Sequence, residues 1–197
     1  MSESLITKKA LGESLKKLMA EQPFEKISIK DICEACGMNR NSFYYHFKDK
    51  QDLIIWIFDF EFIQKMQTRE FSDVFELFEV VCEYFYENKS YYVKAFEITG
   101  QNCFSEYFSV IFHEFCIEYM LKYFGESENK QYYARFATDT LRMFLLLWLT
   151  DKKQLTPQEV VKMSKDAVIA IAEKCDSQYP EEIEKRKNKN INYKAMQ

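Results

Sequence analysis

The chain has 197 residues, 47% of them hydrophobic and 29% charged, with 27 Lys and Arg against 31 Asp and Glu for a formal net charge of −4. That length fits one or two domains with a sizeable core, and the longest purely apolar stretch, Met143 to Leu149, falls far short of the roughly 18 residues a membrane span needs. Four Gly and three Pro, with no alternating apolar and polar runs bounded by turns, exclude a β-rich fold and predict an all-α chain.

The first predicted helix covers Leu5 to Ala20. It is amphipathic, with lysines throughout, so it does not read as a signal peptide, and a cytoplasmic protein is expected. Leu11, Leu15, Leu18 and Met19 give it an apolar stripe. Ser28 then precedes an apolar pattern with Asp31 three residues on, a capping box that starts a second helix. Ile29, Ile32, Cys33 and Cys36 follow at helical spacing, and Gly37 supplies the left-handed geometry that ends the helix. Asn39 is the next N-cap and puts Arg40, Asn41 and Ser42 in the first turn of a third helix. Its polar face continues with Tyr44, Tyr45 and His46, while Phe43 and Phe47, four apart, share the opposite face and anchor it. Ile27 with Ile32, and Met38 with Phe43, are placed as hydrophobic staples.

Two short capped helices joined by a Gly turn, the second presenting groups that bond phosphates and base edges, read as a helix-turn-helix DNA reader. Arg40 can donate two hydrogen bonds to a guanine, and Asn41 can both give and accept at an adenine. Tyr44, Tyr45, His46 and Lys50 suit phosphate oxygens. Residues 1–50 hold nine Lys and Arg against seven Asp and Glu, and the remainder eighteen against twenty-four, so the basic character sits where DNA is expected. The sequence pI near 5.4 argues the other way, but a helix-turn-helix needs only a few well-placed cations per subunit.

The residues from about Leu5 to Leu53 resemble the DNA-binding domain of the TetR/AcrR family of bacterial transcriptional regulators. The likeness is carried by Ser28-Ile29-Lys30-Asp31-Ile32-Cys33-Glu34-Ala35-Cys36-Gly37-Met38 and by Ser42-Phe43-Tyr44-Tyr45-His46-Phe47-Lys48-Asp49-Lys50-Gln51-Asp52-Leu53. The resemblance implies that Lys30, Arg40, Asn41 and Ser42 approach base edges or neighbouring phosphates, and that Ser28, Tyr44, Tyr45, His46 and Lys50 hold the backbone. With Asn39 at the mouth of the helix, these residues are the expected DNA-binding set. Cys33 and Cys36 depart from the family's small residues there.

Lys50 to about Thr68 reads as one long helix bridging the DNA reader and the C-terminal helices. Further helices are predicted from Ser72 to Asn88, Ser90 to Thr99, Cys103 to Phe124 with Gly125 as stop, Asn129 to Thr150, and Pro157 to Gln178 with Pro at the first helical position. The expected organisation is a DNA-binding domain over 1–50, a helical effector-binding and dimerisation domain over 51–180, and a polar tail over 181–197. The helix with Phe144, Leu145, Leu147, Trp148 and Leu149 is apolar nearly all round and must bury both sides. In TetR-like proteins the last two long helices form a four-helix bundle with their copies, so the resemblance implies a homodimer on a palindromic operator.

Residues 82–124 are dense in aromatic rings, which serve either a core or a ligand cavity. As a cavity, its lining would be Tyr92, Phe96, Phe104, Tyr107, Phe108 and Trp148. The stretch Lys89 to Phe96 and Gly100 to Phe104 also resembles the TetR subgroup that includes activators of dihydroxyacetone kinase operons, where the sensing domain docks a protein coactivator. His113 reads as a structural histidine, and Ile98 to Asn102 as a Gly-containing helix end and turn.

The cysteines at 33, 36, 82, 103, 116 and 175 read as reduced thiols on apolar faces. Cys33 and Cys36 make a CxxC, but no second CxxC or His pair completes a metal site, so neither metal nor cofactor is expected. No Gly-rich phosphate loop, HExxH or nucleophile elbow points to an enzyme. The expected function is an effector-coupled, homodimeric, sequence-specific transcriptional regulator, a repressor in the first instance, with an activator docking a protein coactivator as the alternative.

Overall fold

The computed structural model describes residues 3–124 and 128–185. Among the described residues the chain is helical without a strand, and no helix is long and apolar enough to cross a membrane. The expected stop at Gly125 and the tail from 186 onward lie outside the described residues; residues 181–185 are helical and mostly exposed. The chain divides into two compact units, Met1–Glu70 with Glu87–Val110, and Phe71–Tyr86 with Ile111–Gln197. The first is larger than the 1–50 domain expected, because aromatic residues from 87–110 complete its core.

In the first unit, α1 (Glu3–Glu21), α2 (Ile29–Ala35) and α3 (Arg40–His46) lead to α4 (Lys50–Phe58). Leu11, Leu15 and Met19 of α1, Ile32 and Cys33 of α2, Phe43 of α3 and Leu53 of α4 are buried to 1% exposure or less. Helices of two turns do not persist alone in water, so this shared core is what holds α2 and α3. Gly12 is buried where α1 passes α4: a Cβ there would stand 3.1 Å from Cγ1 of Ile57, so any larger residue requires the Ile57 side chain to shift by a few tenths of an ångström. Beyond Phe58, α4 does not run on as the uniform helix expected. It passes through a π turn (Asp59–Ile63) into a last α turn (Gln64–Met66). At that turn Glu61 pairs with Lys16 of α1 at 2.5 Å, and Asp59 accepts a hydrogen bond from the Tyr107 hydroxyl.

The same unit includes α6 (Lys89–Glu97) and the start of α7 (Phe104–Phe124). Lys94 of α6 donates to the carbonyls of Met19 and Ala20, satisfying the open C-terminal end of α1. Gly100 at φ 112° and Asn102 at φ 58° make the turn between α6 and α7.

The second unit contains α5 (Val74–Glu87) up to Tyr86, the rest of α7, α8 (Lys130–Thr150) and α9 (Pro157–Gln178). Trp148 stacks on Tyr86 with ring centroids 5.8 Å apart, and its indole N–H donates to the Leu155 carbonyl at 2.9 Å, fixing the turn between α8 and α9. Thr156 and Glu159 form a capping box around Pro157, as the position of that proline leads one to expect. His113 bonds to Gln131 at 2.8 Å, a structural role.

Candidate nucleic-acid interface

The reader is shaped by its caps. The Ser28 hydroxyl accepts from the Asp31 N–H at 3.2 Å, and the Asp31 carboxylate accepts from the Ser28 N–H at 2.8 Å and its hydroxyl at 2.7 Å. Those bonds hold the Asp31 carboxyl below the usual carboxylate range. At the other end of α2, Gly37 takes φ 69°, the Met38 N–H donates to the Cys33 carbonyl at 2.8 Å and the Gly37 N–H to that of Glu34 at 3.2 Å. This is a Schellman turn, which closes α2 and reverses the chain within two residues. Asn39 restarts it, its side-chain oxygen accepting from the Ser42 N–H at 2.9 Å.

The caps set the phase of α3. Phe43 and Phe47 are 0% and 3% exposed, while Arg40, Asn41, Tyr44 and Tyr45 stand on the exposed side, Tyr45 at 82%. Arg40 with Tyr44, and Asn41 with Tyr45, are each four apart and so share a face. Tyr44 is held edge-on to Phe43, and Tyr45 edge-on to His46 with centroids 4.8 Å apart, which stiffens the hydroxyl-bearing face. Burial pushes the His46 imidazole down, with the Lys8 ammonium adding to the effect, so it is neutral near pH 7.

Of the remaining expected residues, Ser28 and Lys30 are exposed, Lys30 in a loose surface pair with Glu34 at 3.4 Å. Asn39 and Ser42 have side-chain atoms committed to each other, the Ser42 hydroxyl lying 3.3 Å from the Asn39 oxygen, which limits what they offer a base. Lys50, expected to hold the DNA backbone, has its ammonium turned inward onto the backbone carbonyls of Phe24 and Ile27. Lys48 was not among the expected residues. It is exposed just beyond α3, and its place as the first cation after the helix is the signal that marks it.

The rings expected to line an effector cavity are packed on one another. Phe104 lies 4.9 Å from Phe96 and 5.2 Å from Tyr92 between centroids; Tyr92, Phe104 and Phe108 pack on Phe58, Phe96 packs on Phe104 and Phe108, and all five rings are at 7% exposure or less. Tyr107 is turned to Asp59, and Trp148 belongs to the second unit, against Tyr86. Aromatic density at Tyr92, Phe96, Phe104 and Phe108 serves a core, one of the two roles the sequence leaves open. All six cysteines are free; burial pushes the Cys33 thiol up, as does the neighbouring Cys36, whose thiol donates to the carbonyls of Ile32 and Cys33.

Residues 13–56 match the family described as bacterial regulatory proteins, tetR family, and residues 72–169 match that described as transcriptional regulator C-terminal region. The chain is 31% identical over 102 residues to DhaS of Lactococcus lactis subsp. lactis (strain IL1403), the HTH-type transcriptional activator of the dhaKLM operon. That match covers 50% of this chain and 53% of the relative, so the chain spans about half the length of the curated relative it matches. In fold it is similar to the solved dihydroxyacetone kinase operon activator DhaS, with a TM-score of 0.64 at 19% identity over 84% of this chain and 96% of that one. It is also similar to NalD, the secondary repressor of the MexAB-OprM multidrug efflux pump in Pseudomonas aeruginosa, with a TM-score of 0.65 at 14% identity over 86% and 96% of the two chains.

Proposed function

The chain belongs to the TetR family of bacterial regulatory proteins, and on that footing we propose that it acts in the cytoplasm as a homodimeric, sequence-specific DNA-binding regulator of transcription. The observation that carries this reading is the division of α3, whose phenylalanines are buried while Arg40, Asn41, Tyr44 and Tyr45 face outward on one capped helix. Arg40 and Asn41 discriminate bases, and Ser28, Lys30, Tyr44, Tyr45, His46 and Lys48 fix register on the phosphates. Asn39 and Ser42 shape the end of the helix that meets the groove.

The dimer rests on α8 and α9. Tyr132, Phe136, Met143 and Leu147 form one stripe along α8 and are 47–77% exposed, lining an open groove. From Lys162 onward α9 is nearly all exposed, including Met163, Val168, Ile169 and Ile171. A stripe this long on neighbouring helices exceeds what single surface apolar residues account for, and a second copy covering it makes a two-fold dimer with two recognition helices.

Regulation requires a bound effector to favour one spacing of those helices. Repression, by occupation of a promoter, is the first reading. A second, activation through a docked protein, is favoured by the filled aromatic core at Tyr92, Phe96, Phe104 and Phe108 and by the similarity to a transcriptional activator. Selection of bound DNA from a random pool tests the main reading. A palindrome with half-sites about one helical turn apart, roughly 10 base pairs or slightly more, is expected; a pool with no enriched sequence overturns it.

A further inference from the structure

Lys50 is the first residue of α4, and its ammonium donates to the carbonyl oxygens of Phe24 at 2.8 Å and Ile27 at 2.5 Å. It also stands 4.1 Å from the centroid of the Phe24 ring. Phe24 and Ile27 are both buried; Phe24 opens and Ile27 follows the short 3-10 turn (Phe24–Lys26) that delivers the chain to Ser28, the cap of α2. An ammonium has three N–H donors, and two are used here on carbonyls more than twenty residues away in sequence. Loss of water pushes the Lys50 ammonium down from the usual lysine range, opposed by the carboxylates of Glu25 and Asp31.

The exit of α3 is held to the same turn. The Lys48 N–H donates to the Asp52 carboxylate at 3.0 Å, and Asp49 caps α4 by accepting from the Asp52 N–H at 2.9 Å. The first turn of α4 therefore grips the chain immediately before α2 and immediately after α3.

We infer that Lys50 is a positioning residue of the DNA reader, locking the approach to α2 onto the first turn of α4 without itself bonding a phosphate. This rests on the DNA-binding reading above. Lys30 is poised for phosphate because it is exposed and outward; Lys50 acts through the placement of Ser28 and Lys30.

The test uses the full chain and an operator recovered by selection with the unaltered protein. Lys50→Met keeps the length of the side chain and removes the donors and the charge. Operator affinity should fall about tenfold or more, as loss of two charge-assisted hydrogen bonds implies. The slope of log affinity against log salt should match the unaltered protein, whereas Lys30→Met should flatten it by about 0.9 per subunit. Flattening of that size for Lys50→Met, or an unchanged affinity, overturns the assignment. Lys50→Arg keeps the charge, which satisfies a phosphate but does not reproduce a compact donor between two carbonyls and a ring. It should bind weakly with an unchanged slope, and full affinity in this variant overturns the assignment even if Lys50→Met does not fold. Amide exchange gives a readout without DNA: protection over Ile29–Ala35 should fall in Lys50→Arg relative to the unaltered chain. Unchanged protection there refutes the clamp, while failure of the unaltered chain to select any DNA refutes only the regulator reading.

Discussion

Replacing Phe136 by Asp tests the dimer at its most exposed phenylalanine. A free phenylalanine side chain carries on the order of 200 Å², and Phe136 retains 75% exposure in the isolated chain. About 150 Å² per copy is thus available for burial, worth about 4 kcal/mol at roughly 25 cal/mol per Å² and about twice that for the two copies of a two-fold interface. Such area bookkeeping is an upper bound, so half of the pair's total, about 4 kcal/mol, sets the expected scale and raises the dissociation constant about a thousandfold. The introduced carboxylate adds a charge that an apolar interface must desolvate. Sedimentation equilibrium over a concentration series reads the shift directly, with circular dichroism confirming that the variant is folded. Ile6→Asp, at an exposed apolar position on α1, should leave the association unchanged. A Phe136→Asp protein that dimerises as tightly as the unaltered chain refutes the assignment of this stripe to the interface.

Three further outcomes are expected. Arg40→Ala should cost about 1–3 kcal/mol on the cognate operator and relax preference at one base position, read from titrations across operator variants. Phe43→Ala empties a fully buried site and should cost about 3–5 kcal/mol in denaturant unfolding, because α3 loses its anchor. His46 is shifted below its ordinary value of 6.5, and a nearby phosphate raises an imidazole, so binding takes up a proton in the interval between the free and bound values. Operator affinity should therefore increase as pH falls through that interval, and His46→Gln should flatten that rise; an identical profile for the variant counts against the phosphate contact.

The helix-turn-helix was legible in the sequence because its determinants are local. The Ser28 and Asp31 box, the left-handed Gly37 and the Asn39 cap each need only residues within four positions, and all three form as their spacing implies. Lys50 was not legible: its partners, Phe24 and Ile27, meet it only after the fold has formed, and a lysine after a recognition helix looks alike whether it faces phosphate or carbonyl. The π turn at Asp59–Ile63 was equally hidden, since apolar spacing from Leu53 to Ile63 fits an unbroken α-helix. Ring density around Tyr92 and Phe104 could not separate a core from a cavity; the separation depends on which helices supply the facing rings, Phe58 among them.

The Schellman turn at Gly37 has a thermodynamic consequence. With the ends of α2 and the start of α3 satisfied by the chain's own atoms, the recognition helix exists before any duplex arrives. Docking then carries no folding step, so calorimetry should show a heat-capacity change set by contact area alone. A preassembled probe of this kind samples non-cognate stretches as a rigid body and leaves them quickly, so the pace of its search along DNA is governed by ionic strength and diffusion.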